Sequence, residues 1–233
     1  MTTPRFDIIG QALSDASRTR MLCELMEGRS FTNKELASAA GITAQTASAH
    51  LRMLQNAGLV LAEKRGRCVF HRLANGEVAQ VLEQLAAIAP SSHLHLAQRR
   101  KAGDIAQLRS CYDHLAGPVA VAMTGEFLAR GMLVEENGGF RICGHEVWHR
   151  LGVQVPQKNL TGDARQPFAR PCMDWTERRL HVSGPLGKQI LTYFFDQGWV
   201  TRSRHKRGLE ITGLGQRALE QILGLRCEAL INA

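Results

Sequence analysis

At 233 residues the chain has length for one large or two modest domains with a real core, and its 29 Lys+Arg against 21 Asp+Glu, a net charge of +8, favour a polyanionic partner. The opening MTTPRFDIIGQALSD has no apolar signal-like run and no stretch approaches transmembrane length, so neither a secretory leader nor a membrane span is expected. Six cysteines without a tight repeated spacing argue against a disulfide framework and for a reducing cytoplasm.

In chain order, Phe6 to Glu27 reads as one or two helices carrying Ile9, Leu13, Met21, Leu22, Leu25 and Met26, with Ser14 or Asp15 as a cap for the second. Leu36, Ala39 and Ala40 then form a short apolar helical face that ends at Gly41. Thr43 suits the N-cap of a further helix in which Ala47, Leu51 and Leu54 recur as one buried stripe. The opposite face offers Gln45, Thr46, Ser48, His50 and Arg52, hydrogen-bonding side chains suited to base edges and phosphates. Gly58 ends this helix, and two strand-like runs, Leu59-Val60-Leu61 and Cys68-Val69-Phe70, flank the basic tip Lys64-Arg65-Gly66-Arg67. A structural helical hairpin with a solvated charge run is the plainer reading, but the glycine and the arginines stand where a wing needs them. The expected unit is a winged helix-turn-helix, with Thr43, Gln45, Thr46, Ser48, His50, Arg52, Lys64, Arg65 and Arg67 as DNA contacts. Gly76 to Ala89 follows as a helix striped by Val78, Val81, Leu82, Leu85 and Ile88, and Pro90 stops it.

From Gln11 to about Leu85 the segments LSDASRTRMLCEL, ELASAAGITAQTASAHLRMLQNAGLV and GRCVFHRL resemble the ArsR-type (ArsR/SmtB) bacterial transcriptional regulators. The resemblance implies a homodimeric repressor that leaves double-stranded operator DNA when an effector binds. It also implies that the first helix packs against its copy in the partner, together with the helix after the wing. The family's cysteine-rich metal motif would fall at Glu35 to Ala40, where there is no thiol, and its later-helix Asp/His site is missing between Gly76 and Ala89; His93 and His95 lie beyond it.

The domains expected are 1–90 for DNA binding and dimerisation, 91–104 as linker and 105–233 as a sensor or dimer-support domain, all of a mainly α class with small β-hairpin wings. A helix from Gln98 to Arg109 carries Arg99, Arg100 and Lys101. In the C-terminal domain LRMLQNAGLV aligns without gaps on LTYFFDQGWV, and AVAMTGEFLARGMLV with EENGGFRIC traces the same order, so winged-helix-like repeats are expected. The middle wing carries Glu135 and Glu136, which would repel phosphate. The last carries Arg202, Arg204, His205, Lys206 and Arg207, but its helix bears Tyr193, Phe194 and Phe195; packing or sensing is expected there, with extra phosphate contact as the alternative. Gln154 to Met173, with Pro156, Pro167, Pro171, Gly162 and Asn159, reads as a long loop.

Two clusters carry candidate chemistry: Arg109 to Gly117 and Pro171 to Arg179, which look like motifs of a longer ArsR-type subgroup with an added C-terminal domain. On a helix, Cys111 and His114 would share a face one turn apart, and Cys172 or His181 would complete a shell for zinc or another thiophilic ion. A buried Cys/His core with Asp174, Glu177, Arg178 and Arg179 in ion pairs, a thiol sensor and a small-molecule pocket are the competing readings. Cys111, Asp113 and His114 also hold the ingredients of a cysteine-dependent enzyme, but no oxyanion loop, dinucleotide or P-loop glycine signature accompanies them, so no enzyme is expected.

Overall fold

The computed structural model describes residues 3–90, 108–136, 138–144, 146–160, 167–203 and 208–227. The expected linker 91–104, with His93, His95 and the basic run at 99–101, and the wing tip at 204–207 lie outside the described residues. Two compact units, Met1–Leu82 and Glu83–Ala233, make up the chain, and the boundary falls ahead of the expected linker. Among the described residues no helix is long and apolar enough to cross a membrane.

The first unit opens with α1 (Phe6–Leu13) and α2 (Ala16–Leu25). Asp15 separates them because its carboxylate accepts from the backbone N–H groups of Ser17 and Arg18, satisfying two donors that a helix start leaves free. Arg18 is buried and serves the other side of the joint, donating to the carbonyls of Gln11 and Ala12 at 2.8 Å each. A two-residue strand β1 (Phe31–Thr32) leads into α3 (Asn33–Ala40), where Thr32 and Glu35 form a capping box. Helix α3 buries Leu36, Ala37 and Ala40, with Ala39 only half-buried; the expected face is thus turned by one position.

Gly41, at φ +68°, turns the chain sharply, and Thr43 caps α4 (Ala44–Asn56) as the sequence indicates. The buried stripe of α4 is Ala47, Leu51 and Leu54. It packs with Met21, Leu22, Leu25 and Leu36 into a core, each buried leucine contributing roughly 1.5–3 kcal/mol. Strands β2 (Val60–Arg65) and β3 (Cys68–Leu73) form the wing, and β1 joins them in a three-stranded antiparallel sheet of order β1-β3-β2. The register sets Val60 against Leu73 and Arg65 against Cys68, so the tip Gly66-Arg67 is a two-residue turn with Gly66 at φ +60°. Helix α5 (Gly76–Ile88) follows and crosses the boundary between the units.

The second unit runs β4 (Arg109–Cys111), β5 (His114–Ala116), α6 (Pro118–Ala129), β6 (Leu133–Glu136), β7 (Gly139–Ile142), α7 (Glu146–Arg150) and α8 (Gln157–Leu160). It continues with β8 (Arg170–Met173), β9 (Leu180–Ser183), α9 (Gly184–Asp196), β10 (Val200–Arg202), β11 (Leu209–Ile211) and α10 (Gly213–Leu223). The stretch Gln154 to Met173, expected as one loop, therefore holds a helical turn at α8 and all of β8. Arg109, expected to close a helix, instead begins a strand.

Hairpin, helix, hairpin, helix occurs twice. His114, Gly117, Pro118, Phe127 and Gly131 recur as His181, Gly184, Pro185, Phe194 and Gly198 at a constant offset of 67. The helix–wing order expected from the sequence is present, and each copy has an additional hairpin ahead of its helix. Phe127 and Phe194 anchor one core, with ring contacts to Trp148 and Trp199 at centroid distances of 5.0 Å. Tyr193 and Phe195 pack against that core as well, so the aromatic run of α9 is a packing face.

Candidate functional site

Two groups of side chains are arranged for binding, one in each unit. In the first unit α4 carries no acidic residue, and its solvent side exposes Gln45, Thr46 and Arg52. Thr43 and Thr46 share a hydroxyl contact at 2.9 Å at the start of the helix. Ser48 is half-buried: its hydroxyl donates to the Ala44 carbonyl at 2.9 Å and accepts from the Asn33 amide at 2.8 Å. His50 is turned inward, its side chain only 16% exposed, with Nδ1 3.2 Å from Arg18 Nη1 and Nε2 3.6 Å from Asp15 Oδ1. On the wing Lys64, Arg65 and Arg67 are exposed. Arg65 is held by Glu63 at 2.8 Å and lies over the Phe70 ring.

In the second unit Cys111, His114, Cys172 and His181 come together. All four are buried, and one donor atom from each lies within 4.8 Å of all the others. Cys111 and His114 do not share a helix face; they are directly opposed partners at the end of the β4–β5 hairpin. A two-residue turn brings positions i and i+3 opposite each other, which meets the same spacing that a helix would, and Tyr112 takes the positive φ of +57° that such a turn needs. Cys172 and His181 are likewise opposed across β8 and β9. There the loop is longer and is built on Asp174, which accepts from the Thr176 and Glu177 N–H groups at 2.9 and 3.1 Å.

The imidazoles meet Nε2 to Nε2 at 3.0 Å, with ring centroids 5.0 Å apart. Both nitrogens cannot carry a proton at that distance, so at least one offers a lone pair. Each Nδ1 is turned toward a carboxylate: His114 to Asp113 at 3.5 Å and His181 to Asp174 at 3.9 Å. Burial pushes His181 down to about 3, reinforced by the neighbouring His114. Burial opposes the charged form of His114 too, but Asp113 and Cys111 outweigh it and bring it up to about 10. The neighbouring Cys172 and burial hold the Cys111 thiol well above its ordinary value, and it donates to Glu83 Oε1 at 3.0 Å. A thiol held protonated is the reverse of what a nucleophilic cysteine requires.

Asp174 ties the two hairpins together. Its carboxylate accepts from Arg109 at 2.6 Å and from the Gly117 N–H at 2.7 Å, both in the first hairpin–helix copy. Burial opposes its charge, but Arg109 leads the neighbours that hold its carboxyl well below the usual range. Asp174, one of the residues expected in ion pairs, staples the hairpins with Arg109 as its partner. Asp113 stands beside the cluster as its place in the sequence suggests, whereas nothing in the sequence marks Glu83 as a neighbour, although the repeated His-x-x-Gly-Pro at 114–118 and 181–185 marks both hairpins.

Helix α9 approaches only because Gly187 has no side chain: a Cβ there would stand 2.6 Å from the Val182 carbonyl and 2.9 Å from His114 Cβ. Gly187→Ala is expected to cost about 1–3 kcal/mol by overpacking, read in the thermal unfolding of the second unit. An unchanged melting temperature would show that the hairpin yields freely.

The sequence profile described as "Bacterial regulatory protein, arsR family" matches residues 15–61. An uncharacterised HTH-type transcriptional regulator of Bacillus subtilis, YdfF, is 38% identical over 226 residues, 96% of this chain and 99% of its own length. The HTH-type transcriptional regulator NmtR of Mycobacterium tuberculosis is 40% identical over 86 residues, 37% of this chain and 69% of that protein. Among solved structures, the cadmium metal-sensor CMTR of Mycobacterium tuberculosis matches at 34% identity and a TM-score of 0.32, over 37% of this chain and 92% of that one.

Proposed function

The chain belongs to the arsR family of bacterial regulatory proteins, and from that premise we propose that it acts in the cytoplasm as a homodimeric repressor. It grips operator DNA with α4 and the β2–β3 wing, and lets go when a thiophilic metal ion is held by Cys111, His114, Cys172 and His181. The observation that carries the DNA-binding part is the acid-free outer face of α4, with Gln45, Thr46 and Arg52 exposed beside the basic wing. The dimer is supported by large apolar side chains left in solvent on α1 and α5: Phe6, Ile8, Val81, Leu85 and Ile88. The effector reading is supported by the convergence of four buried metal-ligating side chains in the second unit.

The test starts from duplex DNA selected by the full chain from a random pool. Gln45→Ala and Arg52→Ala are expected to weaken binding to the selected duplex by about 1–3 kcal/mol each where the contact is to a base edge. Ser48→Ala and His50→Ala should affect binding to selected and random DNA alike, because both side chains are spent inside the unit. Equal losses on selected and random duplexes for Gln45→Ala would remove base reading from that position. On the wing, Arg67→Ala should lower the salt slope by about one unit. Arg65→Ala should lower it by less, since it also frees Glu63.

A further inference from the structure

The two copies in the second unit each build half of one site. In the first, Cys111 on β4 faces His114 on β5; in the second, Cys172 on β8 faces His181 on β9. Directly opposed residues of an antiparallel pair stand on one face with Cβ atoms about 4.5–5.5 Å apart. Backbone pairing alone therefore makes each hairpin a ready two-donor clip. The offset of 67 that relates the helices also relates the two histidines.

We propose that the four side chains form a closed, four-coordinate site for a single divalent ion of the zinc class, zinc itself or cadmium in its place, and that this ion is the cross-link between the two repeated modules. The proposal rests on the reading of the cluster as a metal site and adds its coordination, its ion class and what it joins.

The donor set selects the ion. Two sulfurs and two imidazole nitrogens suit a soft or borderline ion and not magnesium, calcium or manganese. Zinc–ligand distances of about 2.0–2.3 Å in a tetrahedron put neighbouring donors about 3.3–3.8 Å apart. The donors here, all within 4.8 Å of one another, with the two imidazole nitrogens 3.0 Å apart, lie close to that spacing. Charge points the same way. When the ion binds, both thiols and the His114 imidazolium release their protons to solvent, and two thiolates with two neutral imidazoles leave a divalent ion electrically neutral in buried surroundings. A monovalent ion would leave a net negative charge there.

The surroundings close the shell. The four residues are at most 8% exposed, which leaves little access for a water ligand. Glu83 lies 3.0 Å from Cys111 Sγ but outside the set of donors that all approach one another. Asp113, 3.5 Å from Nδ1 of His114, helps turn that ring's Nε2 inward, as outer carboxylates orient ligating imidazoles, while His181 Nδ1 stands 3.9 Å from Asp174 without a hydrogen bond.

The experiment uses the full chain, reduced and stripped with a chelator, and titrates it with Co(II) followed by Zn(II). The expected result is one ion per chain, with intense red d–d absorption and a near-ultraviolet sulfur-to-cobalt band, both displaced by zinc. Hydrogen exchange in the β4–β5 and β8–β9 hairpins should slow together on loading. Cys111→Ser and Cys172→Ser should each weaken the sulfur-to-cobalt band and lower affinity at least ~100-fold. A faint octahedral spectrum without charge transfer, one ion per two chains, or protection confined to one hairpin would overturn the proposal. The spectrum of the unmutated chain decides the coordination even where a serine variant does not fold. Tetrahedral binding with no change in DNA affinity would sink the effector reading and leave the cross-link standing. Zinc-driven DNA release by a chain lacking both cysteines would place the effector elsewhere, while the cobalt spectrum of the unmutated chain would still decide the cross-link.

Discussion

Replacing Cys111 and Cys172 together by serine is expected to leave DNA binding within about a factor of two while abolishing release by zinc. The first half of that expectation follows from the division of the chain. The reading helix α4 and the wing rest on the core of Met21, Leu25, Leu36, Leu51 and Leu54, all within Met1–Leu82, whereas both cysteines belong to Glu83–Ala233. The second half follows from ligand chemistry. A serine hydroxyl does not ionise near neutrality, so the double variant removes both anions that would balance a divalent ion as well as both soft donors. Losing even an outer partner of a metal ligand costs about 10–100-fold in affinity, so losing two ligands should exceed ~1,000-fold. Fluorescence anisotropy with the selected duplex, at fixed salt and rising zinc, reads both halves at once. Release of the double variant at the same zinc concentration as the unmutated chain would place the effector elsewhere. Loss of DNA binding without zinc would show that the units are not independent.

The sequence names all four side chains, yet the spacing of Cys111 and His114 suggests a helix where the chain forms a hairpin. Spacing i, i+3 is ambiguous: it sets two residues on one helix face or directly opposite each other across a two-residue hairpin. Nothing in Cys-Tyr-Asp-His breaks the tie, because the positive φ falls on Tyr112 rather than on a glycine or asparagine. Cys172 and His181 are nine positions apart, and only the Asp174-built loop makes them partners. The repeat offers the missing signal. Alignment from the helix–wing junction finds the order of elements, but carried back through Gly-Pro it reaches His114 and His181 and predicts that both precede a helix on equivalent strands.

In the first unit periodicity and capping were enough for α4, because an amphipathic helix with Ala47, Leu51 and Leu54 inside has one way to face the core. They were not enough for His50. On a helical wheel it belongs with the outer polar residues, but Arg18 and Asp15, some thirty residues earlier in the chain, draw it in. Helix α3 shows a smaller version of the same limit. Leu36 and Ala40 are buried as expected, and Ala37 replaces Ala39 because several alanines leave the face of the helix weakly specified.

Asp174→Ala is expected to lower the melting temperature of the second unit by about 6–20 °C without changing DNA affinity. Its side chain is 0% exposed, and that of its partner Arg109 is 12% exposed. Removing the carboxylate therefore leaves a nearly buried guanidinium without its counter-charge and the Gly117 N–H without its acceptor. Breaking one partner from a buried pair costs about 3–5 kcal/mol. In a domain of this size each kilocalorie moves the midpoint by about 2–4 °C. Asp174→Asn is not a neutral control, since its amide would set N–H groups against donors already aimed at both oxygens. The discriminating variant is the double replacement Asp174→Ala with Arg109→Met. With both charges gone no buried ion is stranded, so part of the lost stability should return. Failure of Arg109→Met to recover any of it would show that the backbone bonds from Gly117, Thr176 and Glu177, rather than the ion pair, hold the two hairpins in register. A midpoint shift below about 2 °C for Asp174→Ala alone would show that water replaces the carboxylate at little cost.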